Sequence, residues 1–516
     1  MSGNSPEKFY PTANGSGVAM IDYDGDGRLD LYFATTRNLP LDAPTRSAGN
    51  KLYRSLGGGR FEDVTDLAGV GYKGFTHGVA AADVDGDGFD DLFLANFGRN
   101  VLYLNNGDGT FRDATAGAGL DEPPWSTTGA FLDFDGDGHL DLYVSCYGQW
   151  AQNDKHPACG DHRARIYCSP NLMTPARHYL YRNRGDATFE DVTARAGILR
   201  TDGRGLGVVA ADVNRDGRID LYVATDICSN FLFLNRGDGT FEDITESSGA
   251  AVSERGDPQA SMGIDAEDVD GDGLPELFVT NFRDDYNTLY KNLDGRIFQD
   301  VSAAAGIVKD SLPDVGWGCA LADLDLDGWP DILVVNGNVD DNLPMLDQNV
   351  PYAEKSKIWR NLGRGKFRYL PDTGPFFATP HVARGAAFGD LDDDGDLDVV
   401  VSLMDHRPAV LINESDRGHW LGLALVGRRS NRTAIGAAVE VQAGGRVFQR
   451  QVKGGGSYIS TNDPRLVFGL GTAQRVERVE VRWPSGARSV LADPAVGRYH
   501  RVREADSRPD SRGTNP

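Results

Sequence analysis

The chain has 516 residues, 25% of them charged and 40% hydrophobic, the balance of a folded protein long enough for several domains. Its net charge of −24 excludes a general nucleic-acid binder, which needs a basic footprint. No apolar run approaches the ~18 residues of a membrane span, and five cysteines are too few for a disulfide-built scaffold.

The opening segment MSGNSPEKFY has no basic stretch followed by an apolar core, so no secretory signal is visible. The first organised feature begins at Asp22 with DYDGDGRLD. The pattern D-x-D-x-D-G-x-x-D, or a close variant, recurs as DVDGDGFDD from Asp83, DFDGDGHLD from Asp133 and DVNRDGRID from Asp212. It returns as DVDGDGLPE from Asp268, DLDLDGWPD from Asp323 and DLDDDGDLD from Asp390. Spacings of 50 to 79 residues mark an array of supersecondary units. Of the 76 acidic residues, 27 occupy positions 1, 3, 5 and 9 of these motifs, leaving 49 acids against 52 bases. The acidity belongs to the loops.

Carboxylates on alternate residues, followed by a Gly that lets the chain turn, are what a hard divalent cation requires. Side chains at positions 1, 3, 5 and 9 and the carbonyl at position 7 would supply most of a Ca²⁺ shell. The predicted ligands are Asp22, Asp24, Asp26 and Asp30 with the Arg28 carbonyl; Asp83, Asp85, Asp87 and Asp91 with Phe89; and Asp133, Asp135, Asp137 and Asp141 with His139. They continue as Asp212, Asn214, Asp216 and Asp220 with Arg218, and Asp268, Asp270, Asp272 and Glu276 with Leu274. The last two sets are Asp323, Asp325, Asp327 and Asp331 with Trp329, and Asp390, Asp392, Asp394 and Asp398 with Asp396. An EF-hand is excluded, because position 12 is apolar in every copy (Phe33, Leu94, Val144, Val223, Val279, Val334, Val401) where that loop needs a bidentate Glu. The flanking runs, such as GVAMI before and LDLYFAT after, read as strands.

A second block follows each loop-strand pair, as in LYLNNGDGTFRDATAGAGL from Leu102 or LFLNRGDGTFEDITESSGA from Leu232, and reads as a hairpin. Asp63, Asp113, Asp191 and Asp243 in these blocks are expected to bond local backbone. Four strands per unit and seven units predict an all-β fold: a seven-bladed β-propeller with calcium-binding loops, followed by a small β-sandwich. The expected division is an N-terminal segment 1–15, a propeller over 16–415, a sandwich over 416–505 and a disordered tail over 506–516. The seventh unit lacks a returning strand. Lys8–Tyr10 is the only local candidate to supply it, so the expectation is either that chains of this kind start further upstream or that closure is imperfect.

The loops resemble FG-GAP/VCBS propeller repeats. The segment His419–Gly486, from GHWLGLALVGRRSNRTAIGAAVEVQAGG through RLVFGLG to VEVRWPSG, resembles the ASPIC/UnbV domain that follows such a propeller in the cartilage acidic protein family and its bacterial relatives. The resemblance spans about residues 16–505 and departs at the N-terminus, where relatives usually carry an export signal. It implies a non-catalytic binding or adhesion module for a protein or glycan ligand. The alternative is an enzyme or accessory protein of natural-product biosynthesis, where UnbV-type relatives occur. No G-x-S-x-G, P-loop, HExxH or C-x-x-C motif supports catalysis.

Up to seven Ca²⁺ ions are expected to act as staples. At millimolar calcium and a Kd of about 0.1 mM, each site adds roughly 1.4 kcal/mol. Cytosolic calcium would not fill such sites, so an extracellular or periplasmic location is expected, with a monomer as the default state. In the long insertion 145–180, Cys159 and Cys168 suit a disulfide, with a zinc site of His156, Cys159, His162 and Cys168 as the alternative; Cys319 reads as buried. Strand alternation places Ser16, His77, Thr127, Leu206, Met262, Trp317 and Arg384 at the channel mouth opposite the calcium loops. Of these, His77, Met262, Trp317 and Arg384 are the candidate ligand-binding residues.

Overall fold

The computed structural model describes residues 7–41, 48–120, 125–151, 157–404, 406–415 and 418–505. His156 and the segment 506–516, predicted to be a ligand alternative and a disordered tail, lie outside the described residues.

Seven antiparallel sheets follow one another, each running outward in chain order. Blade 1 comprises Val18–Ile21, Asp30–Phe33, Lys51–Gly57 and Arg60–Asp63, and blade 2 Phe75–Ala82, Asp91–Phe97, Val101–Asn105 and Phe111–Asp113. Blades 3 to 6 begin with Ser126–Leu132, Gly205–Ala211, Ser261–Glu267 and Gly316–Ala322. Their first two strands are buried along their whole length, because each blade is covered by a neighbour on both faces. The chain is therefore a β-propeller. Blade 7 has three strands among the described residues: Ala383–Gly389, Asp398–Leu403 and Ala409–Leu411. Lys8–Tyr10 does not supply a fourth, since Tyr10–Ala13 forms a short 3-10 helix.

Every acidic motif joins the first strand of a blade to its second. Position 9 opens the second strand and pairs with the last residue of the first, as in Ile21 with Asp30, Ala82 with Asp91 and Gly389 with Asp398. The loop needs left-handed backbone twice. Position 6 is Gly in every copy, while position 4 is left-handed even where a side chain is present, at Arg215, Leu326 and Asp393.

Two further sheets form the predicted small sandwich. One orders Leu466–Gly471, His419–Val426 and Tyr499–Arg503; the other orders Arg446–Gln451, Ala438–Ala443, Val476–Arg482 and Arg488–Ala492. Leu421, Leu423, Val439, Val441, Val479, Val481 and Phe468 pack into their shared core.

Between Gln451 and Leu466 the sandwich sends a loop into the propeller axis. Gly454 and Gly455 add to the inner strand of blade 4, opposite Ala210 and Val209. Ser457 bridges to Ile264 of blade 5, Tyr458 to Ala386 of blade 7 and Thr461 to Ala19 of blade 1. Val79 of blade 2 donates to the Ile459 carbonyl at 3.2 Å. At the junction of blades 1 and 7, Thr461 N–H bonds the Val18 carbonyl (3.0 Å) and Asp463 N–H the Phe388 carbonyl (3.0 Å). The tail thus plugs the channel and ties its first blade to its last.

The opposite end of the axis is covered by residues 8–14, the described part of the 145–180 insertion and the loop between the second and third strands of blade 6. Tyr10 Oη donates to the Ser169 carbonyl, Lys8 pairs with Asp341, and Tyr167 N–H bonds Asp340. Cys159 and Cys168 are disulfide-bonded, as expected, and Cys319 is buried.

Candidate metal centres

All seven motifs are built alike. The position-6 amide donates to the position-1 carboxylate, at 3.0 Å for Gly27 to Asp22, 2.7 Å for Gly88 to Asp83 and 2.8 Å for Gly273 to Asp268. The position-9 carboxylate accepts two backbone amides. Asp91 takes Val84 N–H and, from the third strand, Asn105 N–H, both at 2.8 Å. These bonds hold the acids in one cluster: Asp22, Asp24 and Asp30 each bring an oxygen within 4.8 Å of the others. The same is true of Asp83, Asp85 and Asp91; Asp133, Asp135 and Asp141; Asp268, Asp270 and Glu276; and Asp323, Asp325 and Asp327.

Such clusters are electrostatically unsatisfied on their own. Burial, with the neighbouring carboxylates adding to it, pushes Asp30 and Asp398 up to about 7 and Asp91, Glu276 and Asp331 up to about 8. Asp83, Asp133, Asp268 and Asp390 rise to about 6 for the same first reason. In blades 1, 3, 5 and 6 a third-strand base offers partial relief. Arg54 reaches Asp24 at 2.8 Å, Arg182 reaches Asp137 at 2.6 Å, Lys291 pairs with Asp270, and Arg360 lies 2.6 Å from Asp325. All four engage Oδ2 atoms. Buried Oδ1 atoms of Asp22, Asp323 and Asp325 have no hydrogen-bond partner. Orphaned, buried carboxylate oxygens facing a cluster of like charge are the donor set of a hard divalent cation, and the residues fit one.

A set of residues that the sequence left unassigned stitches the loops together. Asn105, Asn183, Asn235, Asn292 and Asn361 end the third strands of blades 2 to 6, and Asn413 lies two residues past that of blade 7. Each donates from Nδ2 to the position-2 carbonyl of the preceding blade's loop: Tyr23, Val84, Phe134, Val213, Val269 and Leu324 respectively, at 2.8–3.0 Å. Blade 1 has Ser55 in this place, so the Asn link from blade 7 to blade 1 is missing where the tail makes its bridge. The Asn recurs visibly in LYLN, LYRN and LFLN, but its partner lies one blade back.

Of the four candidate ligand residues, Trp317 and Arg384 are in contact, Met262 shares the apolar cluster of Trp317, and His77 packs separately with Trp125 and Phe75. Tyr458 of the tail loop packs beside Trp317, its ring 4.9 Å away, and its hydroxyl donates to the Asn14 carbonyl. Arg384 stacks on Trp317 at 4.1 Å and donates to the carbonyls of Ala13, Gly337, Ala383 and Asn338. His77 sits between the Gly15 carbonyl and the Trp125 indole N–H, and burial lowers it to about 4. His77, Met262, Trp317 and Arg384 are at most 3% exposed. All four are closed off from solvent, and Trp317 packs on the tail. The glycines that follow them are required by crowding: a Cβ on Gly78 would lie 2.3 Å from the Thr127 carbonyl and one on Gly263 2.1 Å from that of Trp317. Asp63, Asp113, Asp191 and Asp243 bond the amide two residues on, as expected.

A family model for FG-GAP-like repeats matches residues 22–94, 83–144, 160–223, 212–279 and 268–334, more than half of the chain. The chain belongs to the FG-GAP-like repeat family. A second model, "ASPIC and UnbV", matches residues 427–509. Among curated proteins the FG-GAP-like chain is similar to cartilage acidic protein 1 of Homo sapiens, at 25% identity over 95% of this chain and 63% of the relative. It is also similar to that of Mus musculus, at 26% over 93% and 63%. The chain thus spans less than two thirds of the length of these relatives. Solved structures with similarity include an Agrocybe aegerita lectin described as recognising non-reducing terminal N-acetylglucosamine (18% identity, TM-score 0.39, 77% of this chain and 94% of that one). Another is YCF48 from Cyanidioschyzon merolae (10% identity, TM-score 0.40, 77% and 94%). No helix of the FG-GAP-like chain, among the described residues, is long and apolar enough to cross a membrane.

Proposed function

We propose that this protein is a non-catalytic binding module whose propeller is stapled by Ca²⁺ ions, up to one in each of its seven acidic loops. One observation carries the reading: the buried carboxylate oxygens of Asp22, Asp323 and Asp325 have no hydrogen-bond partner inside clusters of like charge. Ca²⁺ fits better than Mg²⁺, which keeps its waters and avoids all-protein cages. Bound there, the cation supplies charge neutralisation and cross-linking. The side chains at positions 1, 3, 5 and 9 would hold it, while the position-6 and third-strand amides orient those carboxylates.

The ligand is a protein or a glycan outside the cytosol, where calcium at about millimolar levels fills sites of this class. With the axis plugged at Tyr458, that ligand meets the outer faces or rims of the blades. Calorimetric titration of chelator-stripped protein with CaCl₂, paired with elemental analysis of the refilled protein, tests the reading. Uptake of several Ca²⁺ per chain supports it. Uptake of none, or a thermal melt unchanged by excess chelator, refutes it.

A further inference from the structure

The open edge of blade 7 has a shape that the other blades define. In blades 1 to 5 the fourth strand presents Phe, any residue, Asp, an apolar residue, and Thr or Ser, from Phe61, Phe111, Phe189, Phe241 and Phe298. Its hydroxyl accepts the amide of a third-strand Leu: Thr115 takes Leu102 N–H at 2.9 Å and Thr245 takes Leu232 N–H at 3.1 Å. The strand buries those leucines completely: Leu52, Leu102, Leu180 and Leu232 are 0% exposed. Its Phe packs on position 2 of the previous blade's loop, as Phe111 does on Tyr23 and Phe241 on Phe134.

Blade 7 keeps the receiving strand, loop and groove and, among the described residues, has no fourth strand. Its third strand pairs in the common register, Val400 with Val410 as Phe93 with Leu102. Val410, the counterpart of those leucines, is 38% exposed, and Ile412 is 40% exposed. Asn413 begins the usual hairpin turn by taking Ser415 N–H, but the next described strand, His419–Val426, belongs to the tail sandwich. Beside the edge lies a groove of about 950 Å³ lined by Leu324, Leu333, Ile358, Phe377, Leu397 and Leu411. Leu324 is position 2 of the blade 6 loop, the place that receives the Phe elsewhere. Arg407, exposed, holds the register position of Arg177, which pairs with fourth-strand Asp191 in blade 3.

We infer that this edge is a strand-acceptor site for an incoming polypeptide segment of the form Phe-x-Asp-apolar-Thr. The segment adds antiparallel to Ala409–Leu411, places its Phe in the groove against Leu324, sets its Asp near Arg407 and covers Val410. The site is defined by the ladder and the groove, so it stands apart from the cation reading.

A labelled peptide with the sequence of residues 236–250, RGDGTFEDITESSGA, is titrated against the full chain by fluorescence anisotropy, alongside a thermal melt. Saturable one-to-one binding and a raised melting temperature are expected, with about tenfold or greater weakening when the peptide carries Phe241→Asp. The protein variants Val410→Glu and Ile412→Glu alter exposed positions, so they should melt like the parent without peptide and fail to bind it. No saturable binding, or binding indifferent to both kinds of change, overturns the proposal. So does sedimentation showing a dimer that the two protein variants dissolve, since the occupant would then be a second copy.

Discussion

Asn235 of blade 4 donates its side-chain amide to the Phe134 carbonyl of blade 3 at 2.9 Å and to the Ile219 carbonyl of its own loop at 3.1 Å. One side chain thereby holds two acidic loops in register. Its Oδ1 is also occupied, by Gly237 N–H. Asn235→Ala leaves two buried carbonyls and an amide unpaired and should cost about 2–4 kcal/mol. Urea denaturation of the calcium-loaded protein reads the cost. A loss no larger than that of a surface alanine would show that the blades are held by apolar contact alone.

Calcium should change how stability depends on pH. The carboxyls of Asp30, Asp91, Glu276 and Asp331 titrate near 4 when unfolded but at about 7 to 8 in the cation-free fold. Between those values the folded state holds more protons than the unfolded one, so unfolding free energy falls as pH rises from about 4 to 8. Chelated protein should therefore melt at lower temperature at pH 8 than at pH 5.5. With saturating Ca²⁺ the slope should vanish or reverse, because the cation binds the ionised carboxylates. Parallel melts in chelator and in CaCl₂ provide the comparison.

The contact of the plug with blade 1 is testable through one glycine. A Cβ at residue 17 would lie 1.7 Å from the Ile459 carbonyl, a backbone atom that cannot swing aside. Gly17→Ala should displace the Tyr458–Thr461 segment, cost about 1–3 kcal/mol, and make the 451–466 loop susceptible to limited proteolysis. Retention of parental protease resistance would mean that the loop is not held by this strand.

Thiol counting checks the insertion and the core together. Cys159 and Cys168 are bonded, Cys146 and Cys319 are buried, and Cys228 is partly exposed with an N–H of Arg204 on its sulfur. Native protein should react with a thiol reagent at one site, slowly because burial raises the Cys228 thiol. Three sites should react in denaturant and five after reduction. Five reactive thiols without reduction would remove the disulfide.

The loops, the blade count and the incomplete seventh blade are all legible in the sequence, because the period-2 strands and the D-x-D-x-D-G turns are local signals. EF-hands were separable from these loops by position 12 alone. The plug was not legible: KGGGSYISTND reads as a Gly-rich turn in the sandwich, and its partners lie on six different blades. For the same reason His77, Trp317 and Arg384 read as an exposed polar ring, since a sequence shows strand direction but not what occupies the axis. The Asn links are visible as a recurring letter and invisible as bonds, because each acceptor is a carbonyl that any residue could supply. Lys8–Tyr10, short and followed by Pro11, forms no strand, and Tyr10 instead opens the 3-10 helix Tyr10–Ala13 over the channel end.

The tail loop acts as an axle, and it leaves the ribosome only after all seven blades. Val18 N–H bonds the Ser460 hydroxyl across a separation of 442 residues, one of the longest-range contacts a chain of this length can make. During synthesis the first blade must wait, unlocked at its inner edge, until the sandwich has been made. Contacts of such range slow folding, so assembly of this wheel should finish with the insertion of its own hub.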